Sequence, residues 1–154
     1  MSKKRLSQTK KNIVFLGHMG SGKSTIGRGL SKKLGLDFYD TDKEIEKEMG
    51  QKIAKIFDES GESIFRNIER KITLKLLDKK NSIIALGGGG FEDLKIRKLI
   101  LNKCNSIWLK CDLNILEKRC RVSKKRPLLS NKNIKAEFDR LNKIRQKNYA
   151  KAKF

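Results

Sequence analysis

Residues Gly17-His18-Met19-Gly20-Ser21-Gly22-Lys23-Ser24 have the phosphate-binding spacing G-x-x-x-x-G-K-[ST] and follow directly on the apolar run Ile13-Val14-Phe15-Leu16. A buried strand that hands such a loop to a helix lets backbone N–H groups turn onto phosphate oxygens, with the positive end of the helix dipole behind them. Lys23 then reaches the β- and γ-phosphates of a nucleoside triphosphate, and Ser24 offers a hydroxyl to Mg2+. His18 lines the loop without a catalytic part, because the chemistry of such loops is carried by backbone and lysine. Two further groups stand where chemistry is possible. Asp40 and Asp42 end the short segment Phe38-Tyr39 and, two apart on an extended chain, project to one side; they also have the residue type of helix N-caps. Gly87-Gly88-Gly89-Gly90 ends the apolar run Ser82-Ile83-Ile84-Ala85-Leu86, and four glycines there carry a large cost in chain entropy unless a backbone must come close to something.

Positioning these groups requires strands that alternate with helices. Ile26, Leu30 and Leu34 recur at helical spacing after the loop, and Gly35 stands where a helix C-cap belongs. From Asp42 to Lys80 the pattern reads as helices interrupted at Gly50 and at Ser60-Gly61. Ile53, Ile56 and Phe57 make one apolar face, and Ile64, Phe65, Ile68, Ile72, Leu76 and Leu77 make another. A helix carrying Leu94, Ile96, Leu99, Ile100 and Leu101 on its buried side leads to a strand at Ser106-Ile107-Trp108-Leu109. The basic stretch 121–133, with the only proline at Pro127, reads as a loop before a last helix with Ile134, Phe138, Leu141 and Ile144. This alternation predicts an α/β fold of three layers, α/β/α, around a central parallel sheet whose ligands gather at the carboxyl ends of the strands.

At 154 residues and 37% hydrophobic content, the chain suits one domain over 12–154 behind a basic tail, 1–11. No apolar stretch is long enough to cross a bilayer, and Ser2-Lys3-Lys4-Arg5 does not lead into a signal-like segment. A cytoplasmic protein is expected. Cys104, Cys111 and Cys120 lack metal-ligand spacing. The formal net charge of +21 raises nucleic-acid binding as a possibility, but the lysines are dispersed and no aromatic ribonucleoprotein pattern accompanies them. Sequence-blind contact with polyanions through Lys3, Lys4, Arg5, Lys10 and Lys11 is the most that this supports.

The chain resembles the shikimate kinases, small-molecule kinases of the P-loop class, over roughly residues 12 to 150. The resemblance rests on residues 17–28, Phe38-Tyr39-Asp40-Thr41-Asp42, Gly61-Glu62-Ser63-Ile64-Phe65-Arg66, Gly87-Gly88-Gly89, Arg126-Pro127-Leu128-Leu129, and Arg145 with Tyr149, in that order. It implies phosphorylation of shikimate at its 3-hydroxyl by ATP with Mg2+. The acceptor-binding region is then 40–80, and 121–133 is a lid. ATP would be held by Gly20, Ser21, Gly22, Lys23, Ser24, Thr25, Arg119 and Arg126, with Arg119 stacking on adenine. Mg2+ would be held by Ser24 and, through water, by Asp40. Shikimate would be held by Asp42, Arg66, Gly87, Gly88, Gly89 and Arg145, the two arginines gripping its carboxylate with their planar forks. Lys23, Asp42 and Arg126 would be the catalytic residues: Asp42 orients and deprotonates the attacking hydroxyl, and Arg126 arrives with the lid to stabilise the transferring group.

The resemblance further implies a monomer whose partners are ATP and shikimate, with no specific nucleic acid and no membrane. The alternatives are another small-molecule kinase, such as a gluconate kinase, or a non-catalytic nucleotide- or polyanion-binding protein. Departures from the family pattern are Lys147 in place of a proline between Arg145 and Tyr149, Gly90 in place of a small side chain, and an end at Phe154, where relatives continue into another strand and a helix. An unpaired edge along Ser106–Leu109 is therefore expected, with Leu113, Leu116 and Val122 losing cover.

Overall fold

A computed structural model describes residues 11–122 and 133–154. The calls on the basic tail up to Lys10, and on Arg126 and Pro127-Leu128-Leu129 in the lid, lie outside the described residues.

Four parallel strands form one sheet in the order β2-β3-β1-β4: β1 (Ile13–Leu16), β2 (Asp37–Asp40), β3 (Ser82–Ala85) and β4 (Asn105–Trp108). β1 sits centrally, pairing Phe15 with Ala85 on one side and with Ile107 on the other. Its start is pinned by Asn12, whose amide donates to Lys79 O at 2.6 Å and accepts from Ser82 N at 3.0 Å. The helices are α1 (Lys23–Leu34), α2 (Thr41–Met49), α3 (Ile53–Leu77), α4 (Leu94–Lys103), α5 (Leu113–Arg121) and α6 (Ile134–Tyr149), with a 3-10 turn at Gly90–Glu92.

Side-chain alternation along the strands builds two faces. Val14, Leu16, Ile84 and Leu86 join Ile45, Ile56, Phe65, Ile72, Ile96 and Ile100 in the main core. On the opposite face Ile83 lies under α1, close to Gly27. A sheet covered by helices on both faces is the expected three-layer arrangement. A second cluster, Leu116, Cys120 and Phe138, joins α5 to α6.

Several expectations change. Ile26 and Leu34 of α1 are exposed, and the residues it buries are Gly27 and Ser31, because a helix that lies close on the sheet contacts it through its small residues. Leu94 and Leu101 of α4, Ile64 of α3 and Ile144 of α6 are also exposed. The extended chain stops at Asp40 rather than Asp42. Asp40 accepts hydrogen bonds from the Asp42 and Lys43 amides, which starts α2 at Thr41. The break at Gly61 is a kink inside α3, with φ 81° and ψ 170°.

The edge of β4 is not bare along its length. Phe154 N donates to Ser106 O at 3.1 Å and Trp108 N donates to Phe154 O at 2.8 Å, the bonding pattern that sets Phe154 opposite Ile107 in a parallel ladder. Leu116 is fully buried, whereas Val122 is exposed. Backbone pairing by the chain's own last residues thus covers β4 where an open edge was expected.

Gly61 has a conformation open essentially to glycine alone, and no atom lies within 4 Å of a Cβ built there. Gly61→Ala should therefore cost about 1–3 kcal/mol from backbone strain, read by urea unfolding as a lower midpoint with an unchanged slope. An unchanged midpoint would show that the kink is not needed.

Candidate active site

The phosphate loop lies between β1 and α1. Lys23 Nζ donates to Gly17 O and His18 O, 2.8 Å each, so the ammonium lies folded over the start of the loop. Ser24 Oγ donates to Asp40 Oδ2. Arg119 on α5 donates to Gly20 O at 2.7 Å and lies exposed at the rim. A cleft of about 530 Å3 runs from Arg119 along residues 19–26 to Asp40, Asp42, Gly87 and Gly88. Gly20, Ser21, Gly22, Lys23, Ser24, Thr25, Asp40, Asp42 and Arg119 are thereby brought together in one depression.

The glycine run after β3 makes the other wall, and three successive glycines each face a different polar group. A Cβ on Gly87 would lie 2.8 Å from Asp42 Oδ1, one on Gly88 3.1 Å from Arg145 Nη1, and one on Gly89 2.6 Å from both terminal nitrogens of Arg66. A side chain at any of these positions would displace the group it meets. Gly87 N is held by Thr41 Oγ1 at 2.8 Å, which ties the run to the first residue of α2.

Arg66 on α3 donates to Glu69 Oε1 at 2.8 Å and to Glu62 Oε1 at 3.3 Å. Burial works to lower its pKa, but Glu69 and then Glu62 raise it above the usual guanidinium value. Arg145 on α6 is 4% exposed, and its Nη1 has no hydrogen-bond partner among the described residues. A buried cation without full compensation is costly unless an anion comes to it. Lys147 is exposed, on the outside of the turn between Arg145 and Tyr149.

Three contributors were not singled out from sequence. Glu69 is buried, pairs with Arg66 and comes within 3.1 Å of the Gly87 Cβ position; its spacing of three from Arg66 on one helix was the available signal. Thr41 is fully buried between two aspartates. Asn142 bonds His18 Nε2 at 3.1 Å from 124 residues away, a contact that no local pattern encodes.

His18 is buried, edge-on to Tyr149 at 5.2 Å and to Phe138 at 6.1 Å. Burial above all, and then the charges of Arg145 and Lys23, push its pKa down to about 4 against the opposing Asn142 bond. Between pH 6.5 and 4 the unfolded chain therefore binds a proton at His18 that the folded chain refuses. Stability should fall as pH falls through that window, by about 1.4 kcal/mol for each unit separating the two pKa values. His18 is the only histidine in the chain. His18→Gln should have a flatter stability curve than the unaltered protein from pH 6.5 to 4 by about 1–3 kcal/mol, measured by urea unfolding at successive pH; parallel curves would show that His18 titrates normally.

A parallel sheet with a phosphate loop after β1, an acidic strand end beside it and a glycine run flanked by arginines defines a P-loop kinase of small molecules. The profile of the family described as shikimate kinase matches residues 19–154, and the chain belongs to that family. It is 42% identical over 142 residues to shikimate kinase of Zymomonas mobilis subsp. mobilis, covering 92% of this chain and 81% of that one. Shikimate kinase of Persephonella marina is 44% identical over 137 residues, covering 87% and 83%. Among solved structures, shikimate kinase from Acinetobacter baumannii in complex with shikimate superposes with a TM-score of 0.91 at 34% identity, covering 94% of this chain and 82% of that one. A gluconokinase from Sinorhizobium meliloti shares the fold at a TM-score of 0.55 and 16% identity, covering 88% and 75%. No described helix is long and apolar enough to cross a membrane.

Proposed function

We propose that this chain transfers the γ-phosphoryl group of ATP to the 3-hydroxyl of shikimate, forming 3-phosphoshikimate. The observation that carries the reading is the convergence of Asp42, Arg145 and Arg66 on three successive glycines beside the phosphate loop. A hydroxyl-bearing carboxylic acid is the acceptor that uses all three groups. Its carboxylate meets the two guanidinium groups and gives Arg145 Nη1 a hydrogen-bond acceptor, and its hydroxyls meet the Asp42 carboxylate.

Catalysis is mainly positioning and charge stabilisation. The loop amides of 20–25 hold the phosphates. Lys23 exchanges the Gly17 and His18 carbonyls for the β- and γ-phosphate oxygens and remains with the charge as the bond to the leaving oxygen breaks. Asp42 fixes the attacking hydroxyl and takes its proton. Arg119 lies along the adenine, and Arg126, which lies outside the described residues, is assigned by the resemblance to stabilising charge on the transferring group. His18 stays neutral and carries no proton to the reaction.

The Ser24 hydroxyl and the Asp40 carboxylate are hydrogen-bonded to each other beside the loop and are hard oxygen donors. Among the described residues no group of three or more His, Cys, Asp or Glu could hold a metal ion. This donor set fits Mg2+, which keeps much of its shell as water and phosphate. Ser24 would hold it directly and Asp40 through water. When bound, the ion neutralises charge on the β- and γ-phosphates. All these groups come from one chain, which suits a monomer. The surplus of positive charge speeds encounter with anionic substrates without any specific nucleic-acid partner.

Release of ADP should require ATP, Mg2+ and shikimate together, and should not occur when gluconate or RNA replaces shikimate; turnover with gluconate alone would refute the assignment. Asp42→Asn should lower kcat by about 10²–10⁴-fold while ATP affinity, measured by calorimetry, stays nearly unchanged. Arg66→Ala and Arg145→Ala should each raise KM for shikimate by about 1.5–3 kcal/mol in free-energy terms, with little effect on KM for ATP. Equal effects on both substrates would remove these arginines from the acceptor pocket.

A further inference from the structure

Tyr149 enters the site one helical turn after Arg145. It is 1% exposed, its ring lies against Trp108 at 5.8 Å and edge-on to His18 at 5.2 Å, and its hydroxyl donates to Gly88 O at 2.5 Å. Burial pushes its pKa up to about 12, against the charge of Arg145 and a hydrogen bond from the Arg145 side chain, so the hydroxyl stays a donor to Gly88 O. Nothing in the phosphoryl transfer described above uses it.

The carbonyl it holds belongs to the peptide joining Gly88 to Gly89. That peptide is trans, as are all those described, so its N–H points opposite to its C=O and therefore away from Tyr149. No partner for Gly89 N–H is present among the described residues. A peptide flanked by two glycines turns over at little steric cost. In the turned-over state a carbonyl oxygen, rather than an N–H, would face the space that Arg66 and Arg145 border. An anion there would be repelled where it is now offered a donor.

We propose that Tyr149 is a positioning residue whose hydroxyl locks the Gly88–Gly89 peptide with its carbonyl turned away from the acceptor's carboxylate. The lock deepens the assignment of an acidic acceptor to Arg66 and Arg145 and rests on it. Tyr149 does not touch the acceptor; it decides which side of a peptide the acceptor meets.

Tyr149→Phe removes the hydroxyl and keeps the ring. It should raise KM for shikimate about tenfold or more, the scale of a hydrogen bond to a charged group, with KM for ATP changed less than about twofold. The methyl ester of shikimate, without the carboxylate charge, should show the same low kcat/KM with both proteins, because the lock acts only through that charge. Trp108→Phe thins the same ring stack but leaves the hydroxyl; it should lower Tm and leave KM for shikimate unchanged. An unchanged KM in Tyr149→Phe, or an equal loss on acid and ester, would overturn the proposal. If the unaltered chain does not phosphorylate shikimate, the acceptor assignment fails, and the lock is still read in the ligand-free protein. There, amide hydrogen exchange at Gly89, followed by NMR, should be faster in Tyr149→Phe, and an unchanged rate would overturn the lock.

Discussion

The pairing of β1 with β3 is the interaction on which the rest of the site depends. Phe15 lies beside Ala85 in a parallel register, and the ladder continues one step further through Leu86 N to Phe15 O at 3.1 Å. Both strands then end in glycine-rich loops, at Gly17 and at Gly87. Adjacent strands are about 4.8 Å apart, so the phosphate loop and the glycine run after β3 must emerge side by side. They touch: a Cβ on Gly88 would lie 3.5 Å from Met19 N and 3.7 Å from Gly17 O. Transfer between two bound molecules needs reacting atoms about 3–3.5 Å apart, and the sheet spacing brings the two cradles to that scale before either substrate binds. Folding and reactant proximity share one cause here.

Electrostatics divides this joint cradle into halves of different character. On the nucleotide side, charges are exposed or partly exposed and held by short local bonds, such as Lys23 to loop carbonyls. Around the glycine run after β3 the cations are more deeply set: Arg145 is almost wholly buried and Arg66 is braced by a buried glutamate. Water screens the first half more than the second. Neutral His18, between the loop and α6, adds no third positive charge to Arg145 and Lys23. The helix α6 thus packs against the loop without further repulsion, although no element of the sheet joins them.

What could be read from the sequence divides by range. The phosphate loop, the three-layer order of strands and helices, and the breaks at Gly50 and Gly61 rest on local patterns, and all were legible. The glycine run announced a close approach without saying to what; Arg66, Arg145 and Asp42 could be set against it only by resemblance. Solvent exposure was least legible. Ile26 and Leu94 have helical spacing and an apolar type, yet they face water, because the neighbours that would cover them belong to other elements. Glu69 illustrates the same limit, since a buried carboxylate looks in sequence like any other charge in a helix rich in them. Phe154 beside Ile107 is a pairing across 47 residues that no periodicity marks.

Asp40, Thr41 and Asp42 are three consecutive residues with three different obligations. The first bonds Ser24 beside the phosphate loop, the second holds Gly87 of the glycine run after β3, and the third faces the Cβ position of the same glycine. Asp40 is the extended N-cap of α2, and Thr41 and Asp42 are its first helical residues, the second rotated by about 100° from the first. Inserting one residue directly after Asp40 would leave its bond to Ser24 in place but swing Thr41 and Asp42 by that angle, away from Gly87. Variation in chain length among proteins built this way should therefore be excluded from the junction between Asp40 and Asp42, whatever happens to the identities of these residues.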